Sequence, residues 1–238
     1  MAQRGKFITF EGLDGCGKST QLQKLAAVLR AENVSVTSTR EPGGTPVGEK
    51  IRNLLLDTAT CGLAPRAELA MMFAARAQHI KEVIEPALEA GHFVLCDRFT
   101  DSSEAYQGGG RQLGSKLILE LHRVLCNNLQ PELTILMDSD VAASVERAKR
   151  RNNLRCEKGG AGEPDENRFE HESRAFFVRV HAAYLAIAAR EHARVMLVDA
   201  RGTPQQTHEH IVEIVRHKFK LRQSQSRRHP ETRRTSAE

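Results

Sequence analysis

The chain has 238 residues and a formal net charge of +5, with Lys and Arg at 35 against Asp and Glu at 30. That length can bury one core without disulfides, so one domain is expected, and five cysteines scattered without a C-x-x-C pair argue against a disulfide scaffold or a zinc module. They predict reduced thiols in a cytoplasmic protein, and no signal-peptide core or run near the ~18 apolar residues of a membrane span is read in the chain.

In chain order, KFITF at 6–10 is a buried-strand pattern, and residues 12–19 read GLDGCGKS. Helical spacing of apolar residues follows over 18–32, then a strand at 34–39. A helix is predicted over 65–90, with Pro86 ending or kinking its last turn. A strand at 93–97, a helix at 114–127, a strand at 133–138 and a helix at 141–151 come next. Residues 150–167, rich in glycine and charge, read as a mobile flap. A helix over 168–192, a strand at 195–199 and a helix over 204–220 complete the pattern. Strands alternating with helices imply an α/β fold, a doubly wound five-stranded parallel sheet covered on both faces. The domain is read as 1–221. Residues 222–238 carry five arginines (222, 227, 228, 233, 234) against Glu231 and Glu238, so the tail supplies +3 of the net charge. Polar and aperiodic, it reads as a solvated, disordered terminus rather than a nucleic-acid contact.

The segment at 12–19 satisfies each fixed position of the P-loop: Gly12, Gly17, Lys18 and the hydroxyl of Ser19. Between a strand and a helix such a loop turns backbone N–H groups toward phosphate, and the helix N-terminus adds about half a positive charge. Gly15 adds to the loop's freedom, Lys18 can neutralise the β/γ-phosphates, Ser19 can coordinate Mg2+ and Thr20 follows in the first helical turn. A nucleoside triphosphate is the predicted ligand; the loop alone admits GTPases, ATPases and small-molecule kinases, and the absence of any N-K-x-D tetrad disfavours a GTPase. Asp97, Asp138 and Asp199 end strands at the edge where open α/β sheets bind ligands, a place where Asp also caps helices.

Five motifs in order, FEGLDGCGKST, TREPGGTPVGEKIRNLLL, LAMMFAARAQH, CDRFTDSSEAYQGGG and ENRFE, resemble those of thymidylate kinases, with the resemblance running from residue 6 to about 215. It implies a P-loop nucleoside-monophosphate kinase that moves the γ-phosphate of Mg·ATP to dTMP, and a homodimer. A monophosphate is mostly ionised near neutral pH, its second pKa being about 6, so the acceptor needs no general base. Charge repulsion is the obstacle, and arginine forks are the remedy.

By this resemblance Arg40 holds the acceptor phosphate and Arg98 bridges acceptor and donor, with Lys18 and Arg98 catalytic. Asp14 accepts the sugar 3′-hydroxyl or orients Arg98, and Asp97 stands by the magnesium. Phe73, by spacing alone a packing residue, becomes the ring stacked on thymine; Arg76 donates to its O4; Pro42 approaches the 5-methyl group; Ser103, Tyr106 and Gln107 complete the pocket, Tyr106 crowding a ribose 2′-hydroxyl. Some thymidylate kinases carry an arginine where this chain has Gly15. This chain resembles the group that supplies it from the lid, with Arg151 as the catalytic arginine, Arg150 and Arg155 as competitors, and Arg147 on donor phosphate or adenine. Glu170 is either an acid near the acceptor or part of a solvated helix face. The rival readings are a kinase for another nucleotide or small metabolite and an ATP-binding switch.

Overall fold

The computed structural model describes residues 4–60, 62–156 and 168–221, with the backbone alone over 151–156. Five strands, β1 (Lys6–Glu11), β2 (Val36–Arg40), β3 (Phe93–Asp97), β4 (Leu133–Asp138) and β5 (Val195–Asp199), form one sheet in the order β2-β3-β1-β4-β5. Every neighbouring pair is parallel, so all C-terminal strand ends lie along one edge. β1 sits in the centre, and both of its faces are buried, which is why KFITF is apolar without strict alternation.

α1 (Lys18–Ala31) and α9 (Pro204–Phe219) cover one face, packing Leu22, Leu25, Leu29, Ile211 and Val215 on Ile8, Phe10 and Ile135. The other face carries α3 (Pro65–His79), α6 (Ser115–Leu125) and α8 (Arg174–Arg190). There Leu69, Phe73 and Ile118 pack on Phe7 and Val94, while Phe176, Val180 and Tyr184 pack on Leu136 and Val195.

Several elements differ from expectation. α2 (Pro46–Leu56) is a helix the apolar pattern did not single out, started by Thr45, whose hydroxyl accepts from Gly48 N–H, and by Pro46 in its first turn. Pro86 does not end the helical run from 65. A wide π-type stretch, Ile80–Ile84, precedes it, and α4 (Glu85–Glu89) carries the run on with Pro86 in its first turn, where its missing N–H goes unneeded. The predicted helix over 168–192 is a 3₁₀ turn, Arg168–His171, followed by α8, because the Ser173 hydroxyl accepts from Phe176 N–H and starts a new helix. The polar cluster after β3 is helical throughout, as α5 (Thr100–Ser103) and a π-type stretch Glu104–Gly110. α7 (Val141–Cys156) continues five residues past its expected end, so 150–156 are helical and not flap. Residues 157–167 and the tail at 222–238 lie outside the described residues, as does Cys61. Among the described residues no helix is long and apolar enough to cross a membrane.

Candidate active site

The C-terminal edge of β1, β3 and β2 gathers the predicted residues. Gly12, Gly15 and Gly17 have positive φ (132°, 78° and 100°), the backbone freedom that lets the loop curl over the start of α1. Lys18 is buried, its Nζ donating to the carbonyls of Gly12 at 3.1 Å and Leu13 at 2.8 Å. Ser19 Oγ donates to Asp97 Oδ2 at 2.5 Å, so a hydroxyl from α1 meets the carboxylate that ends β3. Two hard oxygen donors side by side fit Mg2+ completed by phosphate oxygens and water. Thr20 is exposed in the first turn of α1. Gly15 packs against α7, where a Cβ would lie 2.3 Å from the Ser144 carbonyl oxygen. Arg147 reaches the same loop from α7, Nε donating to the Gly15 carbonyl at 2.9 Å.

Arg98 is the centre of the arrangement. Its backbone has φ 74°, a left-handed conformation uncommon outside glycine and found at functional sites. Nη2 donates to Asp14 at 2.7 Å and to Tyr106 Oη at 3.2 Å; Nη1 donates to the Gly12 carbonyl, Ser102 Oγ and Tyr184 Oη. Tyr106 Oη in turn donates to Asp14 at 2.9 Å. Burial raises the Asp14 carboxyl, but the Arg98 guanidinium and the Lys18 ammonium overcome it and hold Asp14 well below the usual range. Asp14 and Arg98 therefore stay ionised across neutral pH, and the charge of Arg98 is fixed at the seam between P-loop and β3 loop.

A second cluster lies under the β2 loop. Arg76 is 2% exposed, with Nε on Glu41 at 2.7 Å and Nη2 on the Phe99 carbonyl and Ser103 Oγ, while Nη1 has no partner among the described residues. Burial pushes the Glu41 carboxyl up, but Arg76 and His79 outweigh it and lower it. The Arg76 guanidinium lies 4.8 Å over the Phe73 ring. Phe73 itself is wholly buried in the cluster against the sheet, apart from the one that holds Tyr106; Met72, one position earlier, packs against that second cluster, which also contains Phe169. Gln107 is buried and donates to Glu68, which also takes Arg111 and Arg168. Pro42 follows a cis peptide bond, and its carbonyl accepts from Arg52. Arg40 is more than half exposed at the edge, paired with Glu49.

Glu170, in the 3₁₀ turn Arg168–His171, is 9% exposed, so it is not part of a solvated face. Arg150 is exposed, and the side chains of Arg151 and Arg155 lie outside the described residues. Asp138 pairs with His181 and Asp199 with Arg201. Sequence reasoning missed Glu11, Glu41, Ser102 and Tyr184. Glu41 follows Arg40 inside REPGG and could have been noticed as a carboxylate beside an arginine, and Glu11 in FEG as a charge at the end of an apolar strand; Tyr184 has no local signal.

A family model described as Thymidylate kinase matches residues 10–211. The chain is 46% identical over 209 residues to a thymidylate kinase of Trichlorobacter lovleyi, covering 88% of this chain and 96% of that protein. It is 50% identical over 196 residues to one of Pseudomonas syringae pv. tomato, covering 82% and 88%. A crystal structure of thymidylate kinase from Ehrlichia chaffeensis superimposes with a TM-score of 0.68 at 30% identity, covering 90% of this chain and 99% of that one.

Proposed function

This chain belongs to the thymidylate kinase family, and we propose that it transfers the γ-phosphate of ATP to dTMP, yielding dTDP and ADP, with Mg2+ as cofactor. The observation that carries this reading is Arg98, held between P-loop and β3 loop by Asp14 and the Gly12 carbonyl. An ATP-binding switch does not require a guanidinium at the seam between the triphosphate cradle and the β3 loop, whereas a phosphoryl acceptor needs one there.

Two unit charges 4 Å apart repel by about 4 kcal/mol at an effective dielectric of 20, and two phosphates bring several such pairs. Lys18 and the loop N–H groups receive the donor phosphates; Arg98 reaches both partners; Arg40 receives the acceptor phosphate at the exposed edge, exchanging Glu49 for it. Arg147 supports the donor side, and Arg151 is the lid arginine brought to the transferred group. When bound, Mg2+ supplies charge neutralisation at the β- and γ-oxygens, with Ser19 and Asp97 as its holders. The acceptor oxygen is already ionised, so no side chain needs to remove a proton.

For the base, the unpartnered Nη1 of Arg76 supports donation to a carbonyl such as thymine O4, with Phe73 acting as the ring on which that guanidinium rests. Pro42, Ser103 and Gln107 shape the same pocket, Tyr106 and Asp14 the sugar end, and Glu170 the acceptor side. A cytoplasmic homodimer accords with the resemblance, and exposed apolar side chains are available for pairing: Val47 and Leu54 on α2, and Leu119, Val124 and Leu125 on α6. The test is a panel of nucleoside monophosphates with ATP, reading ADP release. Preference for dTMP is expected; equal use of AMP or dCMP would leave only a monophosphate kinase of other specificity.

A further inference from the structure

Glu11 ends β1 one residue before the P-loop and is fully buried. Its Oε1 accepts from the Phe99 backbone N–H at 2.7 Å, and its Oε2 accepts from Ser102 Oγ at 2.5 Å and Tyr184 Oη at 2.9 Å. The same two hydroxyl oxygens receive Arg98, whose Nη1 donates to Ser102 at 2.9 Å and to Tyr184 at 3.2 Å. The two hydroxyls are 2.9 Å from each other.

A hydroxyl has one hydrogen and two lone pairs, and a guanidinium can only donate. With Glu11 ionised, Ser102 and Tyr184 turn their hydrogens to Oε2 and keep lone pairs for Arg98. A protonated Glu11 loses the charge that sets this order. Oε1 faces the Phe99 N–H, so the proton sits on Oε2 and donates to one hydroxyl, that hydroxyl turns to the other across 2.9 Å, and the other returns to Oε2. Arg98 keeps its acceptors, but no carboxylate charge stands behind them.

From this geometry we infer that Glu11 is a positioning residue for the transfer, polarising Ser102 and Tyr184 so that together they hold Arg98 in place. The inference rests on the reading of Arg98 as the residue that reaches both phosphates.

Burial raises the Glu11 carboxyl, Asp101 raises it further and Arg98 pulls it back, leaving it at about 7. The other groups facing it are Tyr184 from α8, Cys96 from β3 and Arg194, which is paired with Asp101; its β4 neighbour, Leu136, is apolar. Because the folded value is raised, keeping Glu11 ionised costs stability as pH climbs from the ordinary carboxylate range, about 4.3, toward 7. A residue kept only for the fold would not be built so.

The experiment compares parent, Glu11→Gln, Tyr184→Phe and Arg98→Ala for dTMP-dependent ADP release across pH. In Glu11→Gln the amide oxygen is claimed by Phe99 N–H, so the amide N–H₂ faces the hydroxyls with neither charge nor lone pair, and one hydroxyl hydrogen is turned toward Arg98. Its kcat should fall about tenfold near pH 8, with the melting temperature kept or raised, since hydrogen bonds to charged groups are worth about that much. The ratio of parent to Glu11→Gln should shrink as pH drops below about 7 and the parent loses its carboxylate charge, the ionisation of substrate being common to both and cancelling. Combining Tyr184→Phe with Glu11→Gln should add little to the single losses. A pH-independent ratio, or a Glu11→Gln enzyme with parental kcat near pH 8, overturns the inference. Should Glu11→Gln fail to fold, Tyr184→Phe with parental kcat overturns it equally. Parental kcat in folded Arg98→Ala would instead remove Arg98 from the reaction, a failure of the proposed function itself; a dead Arg98→Ala beside an unaffected Glu11→Gln sinks only the role of Glu11.

Discussion

In the proposed reading the guanidinium of Arg76 is divided between structure and recognition. Nε and Nη2 are committed to Glu41, Phe99 and Ser103, which fix the plane of the fork, and Nη1, unpartnered among the described residues, is left to the base. A carbonyl at that point is satisfied; the exocyclic amine of dCMP sets donor against donor. Sites built on such hydrogen bonds discriminate by about 10⁴, whereas one methyl group in an apolar pocket is worth only about 1 to 3 kcal/mol. The expected order of kcat/KM is therefore dTMP, then dUMP weaker by one or two powers of ten, then dCMP far below. Arg76→Ala should depress use of dTMP and narrow its margin over dCMP; an unchanged margin would take Arg76 out of base reading. Lys18, Arg98 and Arg76 were legible because each stands in a motif whose chemistry needs it. Ser102 and Tyr184 were not, since they bond to Arg98 only where the fold brings them together, as position 184 comes beside position 98.

Among the elements, the strands were legible to within two residues because a central parallel sheet leaves a continuous apolar run. The helix ends were set instead by single hydrogen bonds, as at Thr45 and Ser173, which apolar spacing does not reveal. α7 matters most for the chemistry. Its backbone lies so close to Gly15 that no side chain fits at that P-loop position, and Arg147 joins the two through the Gly15 carbonyl. Because the helix runs on to Cys156, position 151 follows Arg147 by one turn on the same face, and position 155 by two. Replacing Arg151 by Ala should lower kcat by roughly 10³-fold, the scale of an arginine finger, with dTMP affinity almost unchanged. A kcat within about threefold of the parent would transfer that role to Arg150 or Arg155.

For the molecule as a whole, the 222–238 segment has a composition that cannot support a packed core. A chain ending at Leu221 should match the parent in melting temperature and dTMP kinase activity, and a loss in either would show that the arginines there act on the domain. Dependence of the whole fold on pH is set from within. His122 is buried between Thr100 and the Leu129 carbonyl, its Nε2–H donating to that carbonyl at 2.9 Å and its Nδ1 left to accept from the Thr100 hydroxyl. Burial and the nearby Arg76 charge lower its pKa to about 4. An unfolded histidine takes up its proton near pH 6.5, so between about 6.5 and 4 the unfolded chain binds a proton that the folded one refuses. Stability from the neutral ring is thus complete above that range and lost as pH falls through it. In His122→Asn, which cannot titrate, the melting temperature should lie below that of the parent at pH about 7.5, and the gap should narrow toward pH about 5. A gap that stays constant over that interval would mean that the ring is held for its shape alone, and that the acid sensitivity of the fold arises elsewhere.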